Sequence, residues 1–165
     1  MLTVLLICTG NTCRSPMAAA LLRRALDEQL GEKASYIKVE SAGLGAIPGS
    51  WASPPAIAVM GEVGLNLTEH RARPVTREMV RAADLVLTMT RRQKEHVLAL
   101  EPAARDKTWT LGELAAQGGT DRELRVDVDD PFGGPEHTYR QVRGQLQALL
   151  RPAVEYLRQM VLSQG

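Results

Sequence analysis

Residues 8–16 read CTGNTCRSP, directly after the apolar run Val4-Leu5-Leu6-Ile7. A cysteine at the end of a buried strand, then five small or polar residues, then an arginine and Ser-Pro, has the make-up of an anion cradle. With Ser15 as N-cap and Pro16 in the first turn of a helix, residues 9–14 form a tight loop whose backbone N–H groups face inward. Gly10 permits close backbone approach, and Asn11 tolerates the left-handed conformation that turns the loop. Arg14 supplies a planar fork of donors able to hold two phosphate oxygens at once. The same donors favour a thiolate at Cys8, beneath the anion, and a thiolate under a phosphorus atom is a nucleophile. A phosphocysteine intermediate requires a proton for the leaving group. The stretch DVDDPFGGPE, residues 127–136, offers Asp130, a carboxylate before proline and followed by Phe132. A solvated acidic turn is the competing reading there, and it accounts equally well for Asp127 and Asp129.

Other chemistries need residues that are missing or misplaced. A lone cysteine after an apolar strand is ordinarily a small core residue; the glycine, asparagine, arginine and Ser-Pro at their offsets are what favour a nucleophile. A metal site needs more than Cys8 and Cys13, and His70, His96 and His137 lack ligand-pair spacing, so no metal or other cofactor is expected. A nucleotide P-loop requires Gly-Lys-Ser/Thr after its turn, where this chain has Cys-Arg-Ser.

The elements that must position these residues alternate between strand and helix. Thr3–Ile7 is a continuous apolar run, as in a central strand covered on both faces. Pro16–Leu30 has the apolar spacing of an amphipathic helix closed by Gly31. Strands are predicted at 36–40, 84–89 and 107–111, and helices at 54–64, 91–100 and 136–162. Pro152, inside the last of these, should bend or break it near Arg151. This alternation predicts an α/β fold: one domain over residues 1–165, with a four-stranded parallel sheet and helices on both faces. The loops at 8–15, 41–53 and 125–135 would carry the chemistry.

Composition fits that frame. The 165 residues, 44% of them hydrophobic, suffice for one core. With 20 basic and 19 acidic residues, the net charge of +1 gives no footprint for nucleic acid or an anionic membrane. The N-terminal segment lacks the basic flank of a signal peptide, so a cytoplasmic protein with free thiols at Cys8 and Cys13 is expected.

Cys8 through Pro16 near the N-terminus, with Asp130-Pro131 near the other end, resembles the low-molecular-weight protein-tyrosine-phosphatase family. The resemblance extends through Ser41-Ala42-Gly43, His70-Arg71-Ala72-Arg73 and the strand at Leu85–Met89, and so spans nearly the whole chain. It implies that Cys8 is the nucleophile, Arg14 binds phosphate and Asp130 is the general acid. It further implies that Ser15 hydrogen-bonds the thiolate, and that Ser41 and His70 brace Asn11. Phosphorylated proteins would be the substrates of a monomer or weak homodimer. Cys13, in the same loop as Cys8, is the expected disulfide partner on oxidation.

Two departures bear on the substrate. Tyrosine-specific members usually have a branched apolar residue where this chain has Thr12, and tyrosines where Phe132-Gly133-Gly134 follows Asp130-Pro131. The combination looks most like the bacterial protein-arginine-phosphatase branch. A guanidinium wants acceptors, which Thr12 and Asp130 supply, and Phe132 offers an aromatic face to the cation. Phosphoarginine is therefore favoured over phosphotyrosine, although Trp51 in GSWASPP could form an aromatic wall suited to a phenol or simply pack. Arsenate reductases share the loop but use further cysteines downstream, and none follows Cys13. Sugar-transport phosphocarriers need neither Arg14 nor Asp130, and a phosphoprotein-binding module would release no phosphate.

Overall fold

The computed structural model describes residues 1–117 and 127–164, so Arg125 and Val126 of the expected 125–135 loop lie outside the described residues. Four strands, β1 (Leu2–Cys8), β2 (Ile37–Gly43), β3 (Leu85–Thr88) and β4 (Thr108–Thr110), form an all-parallel sheet in the order β2-β1-β3-β4. The helices are α1 (Arg14–Leu30), α2 (Pro54–Gly61), α3 (Arg77–Ala82), α4 (Arg91–Leu100), α5 (Leu111–Ala116) and α6 (Glu136–Ser163), with 3₁₀ turns at Gly31–Tyr36 and Pro102–Lys107.

β1 is central because both of its faces are apolar. Leu2, Val4, Leu6 and Cys8 point to one side, into a core with Met17 and Leu22 of α1, Met60 of α2, Leu114 of α5 and Leu146 of α6. Leu5 and Ile7 point to the other, where they meet Val80 of α3, Val86 of β3 and Val97 of α4. This period-two split explains an uninterrupted hydrophobic run better than a single buried face does. Each such leucine or isoleucine contributes about 1.5–3 kcal/mol by burial. Because β2 and β3 flank β1 on opposite sides, the chain leaves the end of β1 at the point where the strand order reverses. Open α/β sheets form their binding crevice at this position.

Several expected boundaries move. α1 begins at Arg14, and its N-cap is Cys13 without a side-chain bond; Ser15 is therefore inside the helix rather than capping it. Its hydroxyl is engaged by the loop, which removes it from cap duty. The predicted helix at 54–64 stops at Gly61 and turns through Gly64 at φ 80°. α6 runs through Pro152 to Ser163, so no break occurs near Arg151. Gly31 does end α1, with φ 54°.

β2 extends to Gly43, beyond the predicted Glu40, because its end is pinned on two sides. Leu44 N–H donates to the Cys8 carbonyl (3.0 Å) and Gly45 N–H to the Thr9 carbonyl (2.8 Å), while Gly43 N–H reaches the Arg73 carbonyl (2.9 Å). A Cβ on Gly43 would lie 2.5 Å from the Thr9 carbonyl oxygen and 2.9 Å from the Asn11 nitrogen, both backbone atoms. Gly43→Ala is expected to lower the unfolding free energy by about 1–3 kcal/mol, the usual cost of forced overpacking, as read from urea melts. A variant as stable as the parent would mean that the 8–15 loop yields freely.

Candidate active site

The 8–15 loop closes around one residue, Asn11. It is fully buried and carries the one positive φ among the described non-glycine residues, 55°. Its side chain makes three hydrogen bonds. Oδ1 accepts from the Arg73 N–H at 3.0 Å, and a backbone nitrogen can only donate, which fixes the orientation of the amide. Nδ2 then donates to Ser15 Oγ at 2.8 Å and to Ser41 Oγ at 3.0 Å. Three separate segments are thus tied to the loop.

Ser15 Oγ, having accepted from Asn11, keeps its own hydrogen for Cys8 Sγ, 2.9 Å away. The Asn11 N–H also points at that sulfur, at 3.2 Å. Cys8 is buried at the base of the cleft with two donors aimed at it, an arrangement that supports negative charge on sulfur.

His70 completes the bracing from the far side. Its Nε2 lies 2.7 Å from the Asn11 carbonyl oxygen, and a carbonyl only accepts, so Nε2 carries the hydrogen. Burial first, and then the charges of Arg23, Arg71 and Arg73, hold the His70 pKa below its ordinary value, with the Asn11 carbonyl pulling the other way. The ring is a neutral donor.

Arg14 is 6% exposed. Its Nη1 donates to the Val128 carbonyl at 3.1 Å, and its Nη2 lies 3.7 Å from Asp130 Oδ2. Val128 is itself anchored by its N–H to the Met89 carbonyl, at 2.9 Å. Gln145 of α6 accepts from the Asp129 N–H and donates to the Asp127 carbonyl, so the acidic segment is held from both sides. Asp130 remains exposed, and its Oδ1 accepts from the Phe132 N–H at 3.1 Å, leaving Oδ2 directed toward Arg14. Cys8, Thr9, Gly10, Thr12, Cys13, Arg14, Asp130 and Phe132 together line a cleft of about 230 Å³.

Trp51 does not line that cleft. It is 64% exposed, and an antiparallel bridge to Arg71 sets the guanidinium 4.1 Å from the ring centroid. The aromatic wall weighed from the sequence is thus occupied with a cation of the protein itself. Ser53, two residues on, is the part of that loop that meets the site, with its Oγ 3.1 Å from Cys13 Sγ. Tyr139 OH lies 3.4 Å from the same sulfur, and burial, then Cys13, push its pKa up to about 12, so it stays protonated. Both cysteines are free thiols.

Gln93 was not singled out from the sequence. Its Oε1 accepts from the Met89 and Thr90 N–H groups, and its Nε2 donates to Thr9 Oγ1 at 3.1 Å. The Thr90-x-x-Gln93 spacing is a readable capping box at the start of α4. The third bond, to the loop, depends on the tertiary fold. Ser53, Tyr139 and Gln145 likewise carry no local signal.

The state of His70 makes stability pH-dependent. As pH falls below the ordinary histidine value of about 6.5, the unfolded chain takes up the proton before the folded one does. The contribution of His70 is therefore complete above that value and is lost as pH falls toward the depressed folded pKa. Urea melts between pH 8 and 5 should show a component of this decline that is absent in His70→Gln; equal slopes in the two proteins would refute it.

Comparison with known proteins agrees with this geometry. The family model described as low molecular weight phosphotyrosine protein phosphatase matches residues 3–162. A protein-arginine-phosphatase of Geobacillus stearothermophilus is 42% identical over 154 residues, covering 93% of this chain and 95% of the relative. A probable low molecular weight protein-tyrosine-phosphatase, EpsP, of Ralstonia solanacearum is 40% identical over 130 residues, covering 79% of this chain and 78% of the relative. The solved YwlE arginine phosphatase of Geobacillus stearothermophilus superposes with a TM-score of 0.84 at 38% identity, covering 100% of this chain and 98% of that one. The family match, the identities and the superposition extend over nearly the full length, and the chain belongs to the low-molecular-weight protein-tyrosine-phosphatase family, whose members are cysteine-based phosphatases.

Proposed function

We propose that this phosphatase hydrolyses phosphoarginine on proteins, with Cys8 as nucleophile, Arg14 as phosphate ligand and Asp130 as general acid. The observation that carries the reading is the cleft itself: a buried sulfur receiving two donors, with a buried guanidinium and an exposed carboxylate across from it. Cys8 Sγ attacks phosphorus while the nonbridging oxygens sit on Arg14 and the loop N–H groups of residues 9–15. The S–P bond forms, the bond to the leaving group breaks, and the Asp130 proton goes to the departing nitrogen or oxygen. Asp130, now a carboxylate, takes a proton from the water that hydrolyses the phosphocysteine, and Ser15 supports the returning thiolate. Ser41 and His70 act at one remove, by holding Asn11.

Preference for a guanidinium leaving group rests on what borders the cleft mouth. Thr12 is half-buried there with a hydroxyl, Asp130 adds a carboxylate, and Phe132 has an open face at 73% exposure. Relatives covering more than nine-tenths of the chain carry the arginine-phosphatase name, which supports the same choice. Trp51 takes no part in selectivity under this reading. Phosphotyrosine is the second reading, supported by the tyrosine-phosphatase relatives and by the same chemistry. Cys13 lines the cleft with Cys8, which supports its role as the thiol that captures an oxidised Cys8 in a disulfide. Free thiols at both positions suit the reducing cytoplasm.

Cys8→Ser and Arg14→Ala should each remove nearly all release of phosphate from p-nitrophenyl phosphate while circular dichroism stays unchanged. Asp130→Asn should slow poor leaving groups far more than good ones. Equal losses across a leaving-group series would argue against Asp130 as the acid.

The substrate choice turns on Thr12. Thr12→Ile keeps the branched shape, deletes an acceptor and adds apolar surface, so a guanidinium loses a partner and a phenol gains a wall. An unmet buried polar group costs about 1–3 kcal/mol, or roughly ten-fold in relative rate. The ratio of phosphoarginine to phosphotyrosine turnover should fall by at least about ten-fold in Thr12→Ile, with small aryl phosphates little affected. A parent that already prefers phosphotyrosine, or a ratio that does not move, would transfer the assignment to tyrosine.

A further inference from the structure

A second hollow opens beside the catalytic cleft, and the chemistry above does not use it. Its volume is about 450 Å³, and it shares Thr9 and Arg14 with the cleft, so the two are continuous across the loop. One wall is Leu44 and Gly45, which follow β2; the other comes from α4 and includes Arg92 and His96. The Gln93–Thr9 hydrogen bond ties the α4 wall to the phosphate loop, at 3.1 Å.

The groove is electrostatically one-sided. Among the described residues, no carboxylate lines it. Arg92 is exposed, and among the described residues it has neither an ion pair nor a hydrogen bond. The neighbouring charges are already engaged: Lys94 is paired with Glu113, and Asp127 accepts from the Arg91 N–H. Asp130 lines the cleft itself and is not among the residues of the groove. A protein substrate whose phosphorylated side chain reaches Cys8 must lay its flanking backbone across this mouth. The groove offers that backbone Leu44 on one wall and, on the α4 wall, Arg92, a cation with no ion pair among the described residues.

We propose that this groove is a substrate subsite that binds the peptide flank of the phosphorylated residue and selects an acidic side chain there, with Arg92 as its main reader. The proposal rests on the phosphatase assignment above and extends it from the side chain being dephosphorylated to its neighbours. Arg92 touches no reacting atom. Its contribution is to binding, is expressed in KM rather than kcat, and weakens as salt screens an exposed pair.

Two peptides with the same phosphorylated residue, one flanked by Asp and Glu and the other by Ala, are compared by kcat/KM at low ionic strength, alongside p-nitrophenyl phosphate. Both phosphoarginine and phosphotyrosine versions are used, so that the result does not depend on which is preferred. The parent should favour the acidic peptide by about three- to five-fold, the scale of one exposed ion pair. Arg92→Ala should abolish the preference, Arg92→Glu should invert it, and Arg92→Lys should retain most of it. In all three, turnover of p-nitrophenyl phosphate should stay within two-fold of the parent, because Arg92 is exposed and outside the cleft. A parent without preference, or a preference that survives Arg92→Glu, overturns the subsite while leaving the phosphatase reading intact. A parent that releases no phosphate from any of these compounds overturns both.

Discussion

The architecture of the site depends on keeping a fully buried asparagine in the left-handed region. An anion cradle needs its backbone N–H groups turned inward, and that turn requires a positive φ at one residue. Glycine would supply it with no side chain to hold the loop. Asn11 supplies it and also spends its amide on three partners from three segments: Ser15 in α1, Ser41 in β2 and Arg73 after α2. Its carbonyl takes a fourth, His70. Burial without these bonds would leave several polar groups unmet at about 1–3 kcal/mol apiece, so the network and the strained backbone stand or fall together.

That constraint propagates outward through both sheet neighbours of β1. On the β2 side, Gly43 allows the strand end to pass within van der Waals reach of Thr9 and Asn11, and Gly45 bonds the Thr9 carbonyl. On the β3 side, Gln93 grips the Thr9 hydroxyl. The loop is therefore held from both sides before any substrate arrives. Donors fixed in this way stabilise charge in a transition state without having to reorganise, which is the main physical source of catalysis in such sites.

How much of this could be read from the sequence follows from how local each signal is. β1 and β3 were legible because strands buried on both faces are continuous apolar runs, and the cradle was legible because each residue type in CTGNTCRSP has a narrow set of uses. α3 and α5, at six residues each, are too short to display a helical period, and neither was predicted. Ser15 before Pro16 looks like an N-cap by every local criterion, yet its hydroxyl lies between Asn11 and Cys8, and the helix starts two residues earlier, at Arg14, without it. Ser41 and His70 were reachable only through family resemblance, since a strand-end serine and a lone histidine carry no pattern. Gln93 had half of a signal: the capping box is written in the sequence, but the bond to Thr9 is 84 positions away along the chain.

The division of labour between elements bears on how one scaffold serves different substrates. Under the proposed mechanism the transferred phosphoryl group would meet only the β1–α1 loop and Arg14, which the Asn11 network and both neighbouring strands hold in place. On the same proposal the leaving group would meet Asp130 and Phe132, on a segment anchored by Val128 and Gln145 but open to solvent at its tip, together with the Thr12 side chain at the rim. On that proposal, replacing a rim residue would alter what is cleaved from phosphorus without disturbing the cradle that holds it. A family with one phosphoryl-transfer mechanism could in this way contain enzymes named for arginine and for tyrosine, if specificity is set, as proposed, by rim residues on which the buried network does not depend.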